Sequence, residues 1–148
     1  MTVHLIKLCV GVDTVQELKD WQAERLKRLA RAGQAPRLSH RTLQTPKRRQ
    51  ELIDGGSLYW VIKGFILVRQ RVVDLVPDVK EDGTACCAIV LDKELVATRA
   101  QGRRAFQGWR YLPVSDAPPD MGPVGEADGD DMPRAMRADL RELRLIDG

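Results

Sequence analysis

The sequence is poor in the residues on which several common kinds of site depend. Its 148 residues include two histidines and three cysteines, without C-x-x-C or H-x-x-x-H spacing, so no metal site is predicted. Only three serines occur, and none lies in a G-x-S-x-G motif, which argues against a serine hydrolase. Gly55 and Gly56 follow a predicted helix and precede a predicted strand, the reverse of the order in a phosphate-binding loop. No cofactor is therefore predicted.

Long apolar runs are also lacking. No stretch is long enough to cross a membrane, and the first residues do not have the basic and apolar regions of a signal peptide. We therefore expect a cytoplasmic protein without a membrane partner. The three cysteines, Cys9, Cys86 and Cys87, cannot all pair with one another, and adjacent cysteines on a strand point to opposite faces. We expect buried, reduced thiols.

The charge is distributed unevenly along the chain. Residues 25–110 contain 18 Lys and Arg against 8 Asp and Glu, a local net charge of +10. Residues 111–133 contain six acids and no Lys or Arg, together with five prolines and three glycines. A basic body of this kind can bind a polyanion, or it can hold its own acidic segment near its basic face. Both interpretations stay open at this point.

Hydrophobic periodicity predicts a single α+β domain over residues 1–148. We expect a small curled antiparallel sheet or partly open barrel, flanked by an N-terminal helix, a short helix and a C-terminal helix. Residues 113–133 are expected to be an acidic, Pro/Gly-rich surface segment, extended or disordered. The predicted elements are strands over 2–10, 37–43, 58–75, 85–91, 95–98 and 109–112, and helices over 14–33, 45–54 and 133–146.

The run over residues 58–75 is the most informative element. Both of its faces are apolar as far as Val68, and then Arg69 and Arg71 occupy one face. Gly64 interrupts the run, which predicts a bulge or sharp bend there. A strand that is first buried on both faces and then carries cations on one face is typical of a curled sheet with a basic rim.

Cations and aromatic side chains coincide in the same part of the chain. Six of the seven aromatics lie between Tyr59 and Tyr111, interleaved with Lys and Arg. Cations that contact phosphates and planar groups that stack on bases are the means by which single-stranded nucleic acid is bound. The candidate nucleic-acid- or anion-binding residues are Lys63, Arg69, Arg71, Arg103, Arg104, Trp109 and Arg110. We expect Arg69 and Arg71 to project to the same side as the basic loop over residues 99–104.

Two hypotheses for the function follow from this pattern. The first is a non-enzymatic module that binds RNA or a nucleotide through a basic and aromatic face of the sheet. The second is a small enzyme for a phosphorylated or nucleotide-like substrate, in which Arg69 and Arg71 clamp the anion. No general base is evident for the second hypothesis, since Asp74 and Asp92 are candidates only by their proximity to strands. Neither the oligomeric state nor the catalytic residues, if any, are predicted.

Five blocks of the sequence together resemble one family of proteins. They are residues 4–11, 20–22, 55–64, 69–71 and 106–112, which read HLIKLCVG, DWQ, GGSLYWVIKG, RQR and FQGWRYL. Together they are similar to an uncharacterised alphaproteobacterial domain-of-unknown-function family of proteins of this length. The resemblance covers nearly the whole chain and implies a bacterial cytoplasmic setting, but it implies no activity.

A second resemblance is to the PUA-like small β-barrels, in particular their ASC-1-homology branch. These proteins place a short helix, a glycine turn and a strand with Lys and Arg beside an RNA-binding cleft. The helix over 46–54, the Gly55–Gly56 turn and the strand with Lys63, Arg69 and Arg71 follow that order. The G-x-K-x-x-E-x-R signature of the branch is absent, so the resemblance implies the fold alone.

Overall fold

The computed structural model describes residues 1–124, which form two α-helices, one 3-10 turn and an eight-stranded sheet. The elements are β1 (Val3–Leu8), α1 (Val15–Arg31), β2 (Leu38–Thr42), α2 (Arg49–Ile53), β3 (Ser57–Ile62), β4 (Phe65–Val79), β5 (Ala85–Leu91), β6 (Val96–Gly102), β7 (Trp109–Pro113), the 3-10 turn (Val114–Asp116) and β8 (Asp120–Pro123). The predicted helix over 133–146 and the last part of the acidic segment lie outside the described residues.

The sheet is mixed. Its strand order is β2-β5-β4-β3-β1-β7, and β6 pairs with β4 and β8 beside this path. β1 and β3 are parallel, because the chain passes through α1, β2 and α2 between them, and the other pairs are antiparallel. The α+β prediction of a curled sheet with flanking helices is confirmed, and the parallel β1–β3 pair is an addition to it. β7 joins the sheet through β1.

The long apolar run is a hairpin and not one bent strand. Lys63 and Gly64, with φ of 50° and 85°, form a two-residue turn between Ile62 and Phe65. Two successive positive φ angles match the twist of a β-hairpin, and glycine adopts such an angle without a steric cost. The single strand predicted over residues 58–75 is therefore wrong, and the interruption predicted at Gly64 is a sharp turn and not a bulge. Apolar residues on both sides of the turn hid the chain reversal.

Irregular pairing curls the sheet at two other points of β4. The register shifts between Ile66 and Val68, and again between Val72 and Asp74. At the first shift the extra residues belong to β6, and at the second one extra residue, Val73, belongs to β4. Such bulges bend a strand and increase its twist. The first half of β4 pairs with β3 and β6, whereas the second half pairs with β5. The hairpin predicted at Asp82–Gly83 connects β4 to β5.

The helices follow their sequence signals to different degrees. Thr14 caps α1 by accepting a hydrogen bond from the Glu17 amide at 3.0 Å, and Gly33 (φ 74°) ends the helix, as predicted. The second helix is shorter than predicted. It begins after Arg48, whose side chain makes no cap, and the Thr45-Pro46 pair that predicted an earlier start lies outside the helix.

The two faces of the sheet are covered by different parts of the chain. The larger core packs Val15 and Leu18 of α1 and Leu52 of α2 against one face. A smaller core on the other face contains Ile6 and Tyr59, and Phe106 and Ala117 pack against it. Two sequence predictions change here: residues 99–102 of the basic loop belong to β6, and residues 120–123 of the acidic segment form β8. The acidic segment thus completes the sheet at one edge.

Candidate functional site

The Arg69 side chain is engaged within the protein. Arg69 and Arg71 share one face of β4, as their spacing predicts, but the Arg69 guanidinium makes two hydrogen bonds of 2.7 Å to the Asp120 carboxylate. It also donates to Ser57 Oγ at 2.9 Å, and its side chain is only 23% exposed. The hydrogen bonds raise the pKa of Arg69 and lower the pKa of Asp120. Of the two interpretations of the uneven charge, this contact favours the acidic segment lying on the basic face.

Arg71 and Lys63 lie apart from each other on the surface. Arg71 is exposed, and its guanidinium is 3.4 Å from the Ile53 carbonyl oxygen. Lys63 lies in the β3–β4 turn, with its ε-amino group 3.9 Å from a carboxylate oxygen of Asp13. These two residues lie near opposite ends of the β3–β4 hairpin, so they do not form one cluster of cations.

Three of the predicted arginines do come together. Arg103, Arg104 and Arg110 line an open cleft of about 490 Å³, together with the ring of Phe106. The Arg110 guanidinium carbon is 5.7 Å from the centroid of that ring, within cation–π distance. Asp116 is the acidic residue of this lining. We call this site the arginine cleft, and its residues are Arg103, Arg104, Phe106 and Arg110.

Two fixed strands position the arginine cleft. The Arg103 amide donates to the Gly64 carbonyl at 2.8 Å, which ties the end of β6 to the β3–β4 turn. Arg110 is in register with Ile6 of β1, on the face of the smaller core. The Arg103 guanidinium donates to Gln101 Oε1 at 3.1 and 3.3 Å. Because that acceptor is neutral, the positive charge of Arg103 is not cancelled.

Trp109 points away from the arginine cleft. Alternate residues of a strand face opposite sides, and Trp109 is in register with Lys7 whereas Arg110 is in register with Ile6. The indole N–H of Trp109 donates to the Gln44 carbonyl at 2.7 Å, and its ring packs against Tyr111. The predicted stacking role of Trp109 is therefore replaced by a contact that holds the connector before α2.

A second pocket lies on the opposite face of the sheet, between α1, β2 and the end of β1. Its volume is about 330 Å³. We call it the Lys7 pocket, and its lining residues are Lys7, Leu8, Cys9, Val10, Gly11, Val12, Leu18, Trp21, Gln22, Arg25, Leu38, Ser39, His40, Trp60 and Leu91. Within residues 1–124, no acidic side chain contributes to it.

Burial shifts several pKa values in the Lys7 pocket. It lowers the pKa of Lys7, and it raises the pKa of the Cys9 thiol to about 11, so that this cysteine is protonated at neutral pH. The pKa of His40 falls to about 4, through burial first and then through the charges of Lys7 and Arg25. His40 is therefore neutral near pH 7.

The Lys7 pocket was not predicted from the sequence, although one signal was present. Lys7 shares the alternation parity of Val3 and Leu5, which are buried in the larger core. A lysine on the apolar face of a strand is unusual, because lysine is rarely buried without a partner, and it can indicate a binding site. His40 and Arg25 carry no such signal, because only the tertiary fold brings β2 and α1 to the end of β1.

Residues 1–124 also lack the features of a metal centre and of a membrane-spanning helix. No group of three or more His, Cys, Asp or Glu side chains in this part of the chain is arranged to hold a metal ion. Neither described helix is both long and apolar enough to cross a membrane. The three cysteines are free, with Cys86 and Cys87 buried.

The fold and its two sites define an α+β protein with a curled, mixed sheet and basic pockets on both faces. The chain belongs to the family described as "Protein of unknown function (DUF1489)", whose model matches residues 5–146. This confirms the predicted resemblance to an uncharacterised family over nearly the whole chain. No curated protein and no solved structure matches the chain, so the PUA-like resemblance stays a prediction.

Proposed function

We propose that this protein is a non-enzymatic module that binds single-stranded RNA or a nucleotide in the arginine cleft. The observation that carries the proposal is a single cleft lined by three arginines and one aromatic ring, with the Arg110 guanidinium 5.7 Å from that ring. Guanidinium groups bind phosphate oxygens, often in pairs, and the planes of Phe and Arg stack on bases. The cleft offers both kinds of contact to one nucleotide.

The charges of the cleft also support the proposal. Arg103 is held by a neutral amide oxygen, and Arg104 is exposed. Arg69, in contrast, is neutralised by Asp120 at 2.7 Å. The positive charges of Arg103 and Arg104 are therefore less compensated than that of Arg69. A phosphate that binds in the arginine cleft does not have to displace a bidentate carboxylate.

The enzyme hypothesis loses its main support. It required Arg69 and Arg71 to clamp an anion, but Asp120 already occupies the guanidinium of Arg69. The carboxylate that was a candidate base in β4, Asp74, lies within 2.5 Å of Arg49, and its pKa is lowered by the Leu75 amide and by Arg49. A carboxylate with a lowered pKa is a weak base, so we propose binding without catalysis.

The setting that we propose is the bacterial cytoplasm. The resemblance of the sequence to an alphaproteobacterial family supports it. The three free cysteines are in keeping with a reducing compartment, where thiols stay unpaired.

A binding measurement with matched variants tests the proposal. Wild-type protein is titrated into a fluorescein-labelled single-stranded RNA of about ten nucleotides, a length typical of such sites, and anisotropy is recorded. The test variant is Arg103→Gln with Arg110→Gln. The control is Lys27→Gln with Arg28→Gln, which removes the same charge from an exposed part of α1. Circular dichroism melts establish that each variant is folded.

We expect saturable binding by the wild type and at least about tenfold weaker binding by the cleft variant, since hydrogen bonds to charged groups contribute about 1.5–3 kcal/mol each. The control variant should bind within about twofold of the wild type, apart from a general charge effect. Absence of saturable binding of RNA or of a free nucleotide by the wild type would contradict the proposal. An equal loss in both variants would show that the cleft is not the site.

A further inference from the structure

The Lys7 pocket combines an apolar wall with half-buried cationic groups. Trp60, Leu18 and Leu91 belong to the larger core and form its apolar side. Lys7 enters from β1 and Arg25 from α1, and no ion pair joins either residue to a carboxylate within residues 1–124. Two cations beside apolar side chains without a counter-charge are costly unless a ligand supplies one.

Two buried nitrogen atoms of the pocket have no hydrogen-bond partner among the described residues. They are Nε of Arg25 and Nε2 of His40. More than nine in ten buried polar groups in proteins are hydrogen-bonded, and an unsatisfied one costs about 1–3 kcal/mol. Two such atoms in a single pocket indicate that it is built to receive an acceptor.

The floor of the pocket is held rigid by a network of hydrogen bonds. Gln22 and Gln70 donate to each other's side-chain oxygen at 2.8 and 2.9 Å, and the Trp60 indole N–H donates to Gln70 Oε1 at 2.9 Å. The Gln70 amide also donates to the Asp92 carbonyl at 3.0 Å, so its groups are occupied. This network fixes Trp60, against which His40 packs edge-on at 5.2 Å. A site fixed in advance loses less entropy on binding.

The mouth of the pocket is formed by an exposed tryptophan. Trp21 is 49% exposed, although it is among the largest apolar side chains of the protein. The Arg25 guanidinium carbon is 5.6 Å from the centroid of its ring. Trp21 therefore offers a planar surface at the entrance and holds the Arg25 guanidinium beside it.

We propose that the Lys7 pocket binds a small aromatic carboxylate, with its ring against Trp60 and Leu18 and its carboxylate on Lys7, Arg25 and His40. The volume of about 330 Å³ is at the lower end of the range of about 300–1,000 Å³ for ligand pockets, which fits one or two rings. Lys7 and Arg25 only donate hydrogen bonds, and neutral His40 donates from one ring nitrogen. These donors favour a carboxylate over a neutral ligand. The site is independent of the arginine cleft, since Lys7 and Ile6 face opposite sides of β1.

The probes for the test are 2-naphthoate and its uncharged counterpart, 2-naphthamide. Both have the same rings, so any difference in affinity reports the carboxylate. Binding to the full chain is measured by isothermal titration calorimetry and by ¹H–¹⁵N chemical shifts. The test variants are Lys7→Met and Arg25→Met, which keep most of the side-chain volume. Lys27→Met and Arg28→Met are the controls, because both residues are exposed on α1 and do not line the pocket.

We expect saturable naphthoate binding and at least about tenfold weaker binding of the amide. Chemical-shift changes should centre on residues 7–12, 18–25 and 38–40. Lys7→Met and Arg25→Met should each lose about tenfold or more in affinity. Their melting temperatures should equal or exceed that of the wild type, because each change removes a half-buried cation that has no ion pair within residues 1–124. The controls should bind like the wild type.

Three results would overturn the proposal. They are absence of saturable naphthoate binding, equal affinity for the two probes, and unchanged affinity in both test variants. If the test variants unfold, the two cations are structural, and the comparison of the two probes on the wild-type protein still decides. None of these measurements depends on RNA binding, so the two proposals fail separately.

Discussion

Replacement of His40 by phenylalanine tests the electrostatic description of the Lys7 pocket. His40 lies on β2 in register with Ile89, and its ring packs edge-on against Trp60. The charged groups that face it are Lys7 from β1 and Arg25 from α1, and the pocket contributes no carboxylate within residues 1–124. Phenylalanine keeps a ring in this position but cannot take up a proton.

The expected effect follows from the lowered pKa of His40. The pKa is 6.5 in the unfolded chain and about 4 in the folded protein, so the unfolded state takes up the proton first as the pH falls. The free energy of unfolding of the wild type is therefore not affected by this proton above about pH 6.5. It decreases as the pH falls from 6.5 to about 4, because the unfolded chain binds the proton and the folded protein does not. At about 1.4 kcal/mol per pKa unit, the shift from 6.5 to about 4 sets an upper limit of about 3.5 kcal/mol. Partial contact of the ring with solvent reduces the expected loss to about 1–2 kcal/mol.

The assay is urea unfolding of the wild type and of His40→Phe at intervals between pH 7.5 and 4.5. The difference between their free energies of unfolding should be constant above about pH 7 and shift by about 1–2 kcal/mol against the wild type by pH 4.5. His4, whose pKa is lowered by burial and by Arg69, is present in both proteins and cancels in the difference. A flat difference curve, or a shift in favour of the wild type, would refute the reasoning.

Three further experiments test the fold. Gly56→Ala should lower the free energy of unfolding in urea by about 3 kcal/mol, because the added Cβ would lie 2.4 Å from two backbone oxygens. The control Gly102→Ala should cost under about 1 kcal/mol, because the nearest atom to its Cβ would be 3.7 Å away. Similar losses in the two variants would contradict the packing. Lys63→Asn should raise the free energy of unfolding by about 0.5–1 kcal/mol, because asparagine tolerates the left-handed backbone at φ 50° better than lysine does. A less stable variant would argue against the hairpin turn. A double-mutant cycle of Arg69→Met and Asp120→Asn should give a coupling of about 1 kcal/mol that decreases in high salt, and a coupling near zero would mean that β8 is not held by this pair.

Local signals in the sequence predicted most elements of the fold. The cap at Thr14, the glycine at the end of α1 and the Asp82–Gly83 turn each act through neighbouring residues, so the sequence alone identifies them. The Lys63–Gly64 turn was missed because apolar residues continue on both sides of it. The parallel pairing of β1 with β3 depends on a crossover of nearly fifty residues, which no local pattern specifies.

The candidate sites were predictable only in part. The spacing of Arg103, Arg104 and Arg110 indicated a basic region, but their meeting with Phe106 in one cleft depends on the path of the loop between β6 and β7. The engagement of Arg69 could not be located from the sequence, because its partner, Asp120, lies 51 residues away on β8. The Lys7 pocket depends on three separate elements that meet only in the folded chain.

The salt dependence of RNA binding tests the proposed function most directly. Affinities of the wild type and of Arg103→Gln with Arg110→Gln for the single-stranded RNA are measured between about 50 and 300 mM salt, and log K is plotted against log salt concentration. If both arginines contact phosphates, the variant should bind more weakly and its slope should be less steep by about 1.4, or about 0.7 for each contact. A wild type without salt-dependent binding, or a variant with the same affinity and slope as the wild type, would contradict the account.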